Sequence, residues 1–394
     1  MKTVENKTIV GVPFYDQEGL EVLEACIGNI DTCLNNLGLD AKIIIGINGP
    51  RVSMGLQPLA WEIDLSKYNA DVEFIKTRPG IVATEKAICA KAQEEGFKRI
   101  FLTDADISRL PNSLNHMWNQ GDCPVVGANY CAYPPEILIQ AGVKLTKEQI
   151  ALMSIFEADK HPQAKEFTWP YRPEKRLKGS LLLVETDIAS TMFGCQGITS
   201  DSIMNSNVPM DQRQIISDAS FMHYARISII DHVQARVRHF RAADADNQLE
   251  SFYKKSIIYS PEKADEIAKK MVEKDPMAKL TASNFLLQCA LRHQVADICK
   301  NVVLKKNCTQ PPERVTNTVD FTTLVSCFSE AMTIIASKLS LIDWNCLNTP
   351  EANGKGTTQN NLPRVPINLE PFLAISEYRT LIASHLGLPL IFNP

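Results

Sequence analysis

Apolar runs and amphipathic stretches alternate along the first hundred residues. Residues 8–13 (TIVGVP) form a short apolar run, and Leu20, Leu23, Ile27, Ile30 and Leu34 then recur at spacings of three and four. A strand followed by an amphipathic helix, closed near Gly38, accounts for both periods. Residues 42–47 (KIIIGI) are too apolar and β-branched for a solvated edge, and 72–76 (VEFIK) repeat the pattern more weakly, so both predict strands. After Gly80, TEKAICAKAQEEG predicts a helix with Thr84 as N-cap and Gly96 as its stop, and 99–103 (RIFLT) predicts the next strand. Further strands are expected at 124–129 (PVVGAN), 179–187 (GSLLLVETD) and 235–240 (ARVRHF). Strands alternating with helices predict an α/β fold built on a largely parallel sheet.

From about residue 246 the pattern turns helical. Ser260-Pro261 opens one helix, 281–300 predicts a second, and Leu324, Phe328, Ala331, Ile335 and Leu339 stripe a third. A polar Gly/Asn/Thr loop spans 349–363. The expected organisation is a catalytic α/β domain over 1–245 and a mainly helical domain over 246–394, lying on the acceptor side. Within the first, 132–178 is a Pro-rich, charged insertion carrying Trp169, Tyr171 and the cluster RPEKRLK, a candidate acceptor loop or lid. A length of 394 residues suits two domains.

Charge and cysteine content narrow the class. The balance of 41 Lys+Arg against 45 Asp+Glu is too even for a protein whose main affinity is for a phosphate backbone or an anionic membrane. Eleven cysteines are odd in number, scattered, and without a CxxC pair, which fits reduced thiols better than a disulfide framework. No apolar signal core or stretch of about 18 apolar residues occurs, so a soluble cytoplasmic protein without a transmembrane segment is expected.

In parallel sheets, ligands sit beyond the carboxyl ends of the strands. Pro13-Phe14-Tyr15, Asn48-Gly49, Arg78-Pro79-Gly80 and Asp104-Ala105-Asp106 each follow a predicted strand, so all four are expected at one cleft. Two carboxylates one residue apart suit a hard divalent cation such as Mg²⁺ or Mn²⁺, which takes one or two carboxylates plus phosphate oxygens. An isolated pair of this kind is more often a helix cap or turn. Its place after a buried-looking strand, beside three other strand ends, favours a site.

These blocks, in order, resemble a family 2 type glycosyltransferase of the GT-A fold: TIVGVPFYDQEGLEVLEACIGNI, KIIIGINGP, Gly80 with EKAICAKA, and IFLTDAD. The likeness covers about 8–110 and, more faintly, 179–241. It implies a Rossmann-like mixed sheet flanked by helices, a UDP- or GDP-sugar donor and a metal-dependent transfer. By this resemblance Pro13, Phe14 and Tyr15 line the nucleoside pocket, and Asn48 stands where the family usually has an acidic residue near the base. Lys86 occupies a place where a basic or amide residue is common, although a solvated helix position explains it equally well. By the same resemblance Asp104 is expected to face the ribose or metal and Asp106 to be the metal ligand beneath the diphosphate.

Downstream, FGCQGI (193–198) resembles the turn that approaches sugar and acceptor. IISDASF stands where the family has an acidic pair, with Ser217 replacing the first acid and Arg226 two residues late for the usual basic position. Asp218 is then the expected catalytic base and implies inversion, with Asp211 and Asp201 as competitors and a helix cap as the plainer explanation for each. His239 matches a third metal ligand of some relatives, with His232 as rival; a lone histidine is more often structural. Acceptors left open are a glycan, a metabolite, a peptide and a modified nucleic acid. A sugar nucleotidyltransferase would favour a Gly-rich, basic loop after the first strand, which GVPFYDQEG lacks. A non-catalytic nucleotide- or glycan-binding module is the remaining alternative.

Overall fold

The computed structural model describes residues 7–35, 40–168, 177–192, 200–225, 249–257, 259–304 and 365–386, with scattered positions between 232 and 247. In chain order its main elements are β1 (Lys7–Tyr15), α1 (Leu20–Asn35), β2 (Asp40–Asn48), α2 (Pro50–Ser53), β3 (Asp71–Lys76), α3 (Ile81–Glu94), β4 (Arg99–Thr103), β5 (Ile107–Arg109), α4 (Ser113–Gln120) and β6 (Val125–Ala132). There follow α5 (Pro135–Gln140), α6 (Lys147–Phe156), α7 (Pro162–Thr168), β7 (Leu181–Glu185), α8 (Thr186–Met192), α9 (Ser200–Asn207) and β8 (Arg213–His223). The last are α10 (Leu249–Ser256), α11 (Pro261–Lys274), α12 (Lys279–Leu304), α13 (Glu370–Leu373) and α14 (Ser376–Leu386). The chain forms two compact units, 1–133 with 174–224 and 362–394, and 134–173 with 225–361. The sequence reading placed a single cut at 245; by contacts, most of the 132–178 insertion and the 225–245 stretch group with the helical unit, and the carboxyl-terminal stretch groups with the sheet.

The first unit is a Rossmann-like α/β layer structure around an eight-stranded mixed sheet of order β3-β2-β1-β4-β7-β6-β8-β5. Parallel pairing of β1 with β2 runs unbroken from Lys7↔Asp40 to Tyr15↔Asn48, so their carboxyl ends are flush. β3 and β4 run the same way beside them. Alternation along each strand feeds two cores, one on each face. Val10, Val12, Phe14, Ile43, Ile45, Ile47 and Phe101 pack with α1 and α4, while Ile9, Ile44, Ile100 and Leu102 pack with α3, α8 and α9. Gly46 is required by this second face: a Cβ there would sit 2.5 Å from Thr84 Cγ2, so α3 lies directly against the strand. Thr84 is therefore inside α3, bonding back to the Gly80 carbonyl at 2.9 Å, and the helix begins one turn before its predicted cap. Gly80, at φ 107°, makes that early start possible.

β7 runs antiparallel between β4 and β6, and β5 antiparallel to β8, so only part of the sheet is parallel. The chain passes from β4 to β5 through Asp104, Ala105 and Asp106 alone, yet β7, β6 and β8 lie between them in the sheet. Four Cα steps reach at most about 14 Å, whereas four flat strand spacings measure about 19 Å. The sheet must curl, and the Asp104–Asp106 turn bridges the mouth of the curl.

Two predicted elements fall elsewhere. The described positions from 236 to 240 have helical backbone, not the expected strand, and β8 is a strand that the sequence pattern did not predict. The stripe over 324–339, the loop 349–363, residues 193–198 and Arg226 lie outside the described residues. Among those described, Cys26, Cys33, Cys89, Cys123 and Cys289 are free thiols, and all but Cys123 are buried. No described helix is long and apolar enough to cross a membrane.

The second unit is helical. α11 and α12 pack with α7 through Ala164, Ile267, Met271 and Phe285, and α6 joins α10 and α12 through Leu152, Phe156, Leu291 and Val295. Asp159, fully buried, accepts from Arg292 Nη2 at 3.0 Å and Gln288 Nε2 at 2.9 Å.

Residues 365–386 belong to the sheet unit and not to a helical carboxyl-terminal domain. Tyr224 Oη donates to the Val365 carbonyl at 2.9 Å, Ser108 Oγ to the Ile367 carbonyl at 2.5 Å, and Asn129 Nδ2 to the Leu386 carbonyl at 2.7 Å. Leu369, Phe372, Ile382 and Leu386 are buried. Deleting 365–394 is expected to lower the sheet unit's melting temperature by about 5–10 °C, from lost hydrogen bonds worth roughly 1 kcal/mol each and newly wetted side chains. Calorimetry on the truncated chain checks this, and an unchanged transition would remove the segment's structural role.

Candidate functional site

The carboxyl ends of β1 to β4 meet at one edge, as the spacing of the motifs implied. Asp16 N–H donates to the Asn48 carbonyl at 2.8 Å and Thr77 N–H to the Ile47 carbonyl at 2.9 Å, which ties the ends of β1, β2 and β3 together. Pro13 and Tyr15 are half-buried on the α3 face, whereas Phe14 points the other way into the α1 core. Strand alternation thus removes Phe14 from the expected pocket lining. Asn48 is buried, and its Nδ2 donates to the Phe14 carbonyl at 3.3 Å.

A carboxylate that the motif reading passed over stands beside it. Asp16 is 6% exposed, and its Oδ2 accepts from Val52 N–H at 3.0 Å. Its Oδ1 is buried with no hydrogen-bond partner. Gly49, at φ 132°, covers this oxygen, and any Cβ there would collide with it. The only signal for Asp16 in the sequence was its place next to the Pro13–Tyr15 block.

The Asp104–Asp106 turn is built from both sides of the curl. Asp104 N–H and Thr103 Oγ1 both donate to the Ser180 carbonyl, at 3.1 and 3.0 Å. Ala105 is buried and the two aspartates are half-buried. From beneath, Arg109, 0% exposed, donates to Thr103 Oγ1 through Nε at 3.0 Å, to the Asp104 carbonyl through Nη2 at 2.7 Å, and to Asn29 Oδ1 through Nη1 at 3.1 Å. Its remaining contacts are the Ile107 carbonyl and Cys26 Sγ. All these acceptors are neutral. Burial pushes the Cys26 thiol up; Arg109 opposes the shift while Asp106 and Asp104 add to it, so all three charges act at one place.

Flanking the turn are the carboxyl ends of β6 and β8 and the amino end of β7. His223 pairs with Ile107, the residue after Asp106, and its Nδ1 lies 3.0 Å from the Tyr224 carbonyl. Its ring stacks on Tyr130 with centroids 5.9 Å apart, and Tyr130 stacks on Phe221. Lys178 Nζ sits 4.7 Å from the centre of the Tyr130 ring. Tyr133 Oη donates to Ser108 Oγ at 2.5 Å, and its ring meets Tyr224 edge-on. Burial raises both phenols, Tyr224 to about 12, and the charge of Asp106 raises them further. None of Tyr130, Lys178 and His223 was singled out by the sequence reading.

Of the other expected site residues, Gly80, which caps α3 just past the end of β3, and Lys86 on α3 are exposed. Asp218 is exposed on a bulge in β8, where the register jumps from Ala128↔Ile216 to Asn129↔Ser220. It lies five positions before His223, about 16 Å of extended chain from the strand end. Asp211 is farther still, in the turn that precedes β8. His239 and His232 belong to the second unit, where their rings lie on Phe252 and Phe156. Among the described residues, no three His, Cys, Asp or Glu side chains gather to hold a metal ion. Asp218→Asn is expected to leave donor affinity and turnover within about twofold of the parent, as for an exposed surface position; a fall of about 10²-fold in turnover would restore it as a base.

No protein-family model and no curated protein sequence matches the chain. Among solved structures it is similar to HddC from Yersinia pseudotuberculosis, at 9% identity and a TM-score of 0.32 over 54% of this chain and 92% of that one. It is also similar to the WbbM bifunctional glycosyltransferase (11%, 0.33, 55% and 40%) and to the inositol-1-phosphate CTP transferase from T. maritima (8%, 0.33, 55% and 89%). Likenesses this slight carry no weight for activity.

Proposed function

We propose that the sheet unit is a nucleotide-sugar glycosyltransferase of GT-A type, using a UDP- or GDP-sugar and transferring the sugar to a glycan, metabolite, peptide or modified nucleic acid. The observation that carries this reading is the Asp104–Asp106 turn, set at the mouth of a curled sheet beside the flush ends of β1, β2 and β3. Two half-buried carboxylates fit Mg²⁺ or Mn²⁺, whose remaining ligands are phosphate oxygens and water. Asp104 and Asp106 would hold the ion, which when bound offsets charge growing on the leaving diphosphate. Pro13 and Tyr15 would border the nucleoside at the end of β1, and the buried floor of Arg109 and Thr103 keeps the two aspartates in place. The acidic segment Asp16-Gln17-Glu18 after β1 disfavours a nucleotidyltransferase, which needs cationic support for a triphosphate at that place.

The test is a donor panel. The full chain with Mg²⁺ or Mn²⁺ is incubated with UDP- and GDP-sugars, and separately with nucleoside triphosphates plus sugar 1-phosphates. Release of a nucleoside diphosphate from a nucleotide sugar supports the reading. Release of pyrophosphate from a triphosphate pair, with no donor hydrolysis, replaces it by the nucleotidyltransferase.

A further inference from the structure

Resting on the transferase reading, we propose that Lys178 is a second cation for the donor's diphosphate, mounted on Tyr130 alongside the Asp104–Asp106 turn. Three observations converge on it. First, Lys178 is half-buried with its ammonium over the Tyr130 ring, and among the described residues no carboxylate forms an ion pair with it. A lysine kept out of bulk water without a counter-anion can bind an anion with less desolvation than a solvated surface lysine.

Second, its backbone is tied to the metal-type turn. Ser180, two residues on, accepts from both Asp104 N–H and Thr103 Oγ1. Two residues span about 7 Å, which a lysine side chain covers, so Lys178 and the aspartate pair can address opposite ends of one diphosphate. Third, the Tyr130 ring that carries the ammonium is itself fixed, packed on both Phe221 and His223 at the end of β8. A rigid aromatic base lowers the side-chain entropy lost when the cation engages an anion.

The division of labour follows from charge. Two carboxylates and one dication leave the site neutral, while a nucleoside diphosphate leaving group carries two to three negative charges. A cation alongside the metal offsets the remainder where that charge develops. In the sequence the basic cluster RPEKRLK belongs to the candidate acceptor loop or lid over 132–178; the structure singles out its last member by its place next to Ser180 and Tyr130.

Calorimetry on the full chain in Mg²⁺ tests this with inorganic pyrophosphate, UDP, GDP and the corresponding nucleosides. Lys178→Met keeps the apolar stem and removes the charge, and Lys178→Arg keeps the charge. The Met variant is expected to bind pyrophosphate and the preferred nucleoside diphosphate about tenfold more weakly or worse, with nucleoside affinity unchanged and Arg restoring most of the loss. Unchanged diphosphate affinity in the Met variant overturns the role of Lys178 while the transferase reading stands. Equal losses for diphosphate and nucleoside, or loss in both variants, mark a structural contact and also overturn it. Lys178-dependent binding of pyrophosphate with no nucleotide binding keeps the anion site and removes the transferase reading. Binding of none of these ligands by the parent protein removes both.

Discussion

Asp106→Ala is expected to abolish metal-dependent turnover, with donor hydrolysis and transfer falling at least about 10³-fold. Asp106 is half-buried at the mouth of the curled sheet, and its charge reaches both Tyr133 and Tyr224. Without it, Asp104 alone would hold the cation, and the diphosphate would face the site with most of its charge uncompensated. Asp104→Ala should be nearly as harmful. Its backbone N–H and carbonyl, which bond to Ser180 and Arg109, survive the substitution, so the turn itself should persist. Melting temperatures of both variants should therefore stay within a few degrees of the parent. Kinetics with and without chelator decide the matter: full activity of Asp106→Ala in chelator-treated buffer would sink the metal site, and chelator-insensitive parent activity would do the same.

What the sequence revealed of this site, and what it hid, divides by range of interaction. β1, β2 and β4 announce themselves because each is an apolar run bounded by turn residues, and a strand buried on both faces needs no distant partner to be recognised, whereas β3, half-buried at the sheet edge, shows the pattern more weakly. Their carboxyl ends, including Asp104 and Asp106, follow directly. β8 was missed because Ser217-Asp218 interrupts its alternation and resembles a turn; the bulge absorbs those two residues together with Ala219, and that register exists only against β6. The same bulge moved Asp218 away from the expected base position. Arg109 and Lys178 were invisible for a related reason. Basic side chains near a loop usually face water, and only the closure of the sheet turns one under the aspartates and sets the other on an aromatic ring. The return of 365–386 to the sheet unit joins residues 257 positions apart, as between Asn129 and Leu386, which no local pattern encodes.

Arg109→Met should destabilise the sheet unit by about 3–5 kcal/mol, or a melting-temperature loss on the order of 10 °C. A fully buried guanidinium surrounded by neutral acceptors is costly to place, so its retention points to what it holds. It ties Thr103 at the end of β4, the Asp104 carbonyl in the turn, and Asn29 on α1. Those groups span the gap that the sheet must close to join β4 to β5. Methionine fills much of the volume but offers no side-chain donor, which removes the guanidinium bonds to Thr103 Oγ1 and the Asp104 carbonyl in a dry core and leaves the Asn29 amide oxygen only the backbone N–H of residue 109. Lysine keeps the charge and loses the planar fork, so Arg109→Lys should recover part of the stability only. The functional readout separates a brace from a filler. Measured well below its own transition, Arg109→Met should bind nucleoside diphosphate in Mg²⁺ at least about tenfold more weakly, because Asp104 and Asp106 no longer share a fixed geometry. A side chain that merely occupies space would be replaced by methionine at a cost under about 1.5 kcal/mol with ligand affinity intact, and that pair of results would remove Arg109 from the site's architecture.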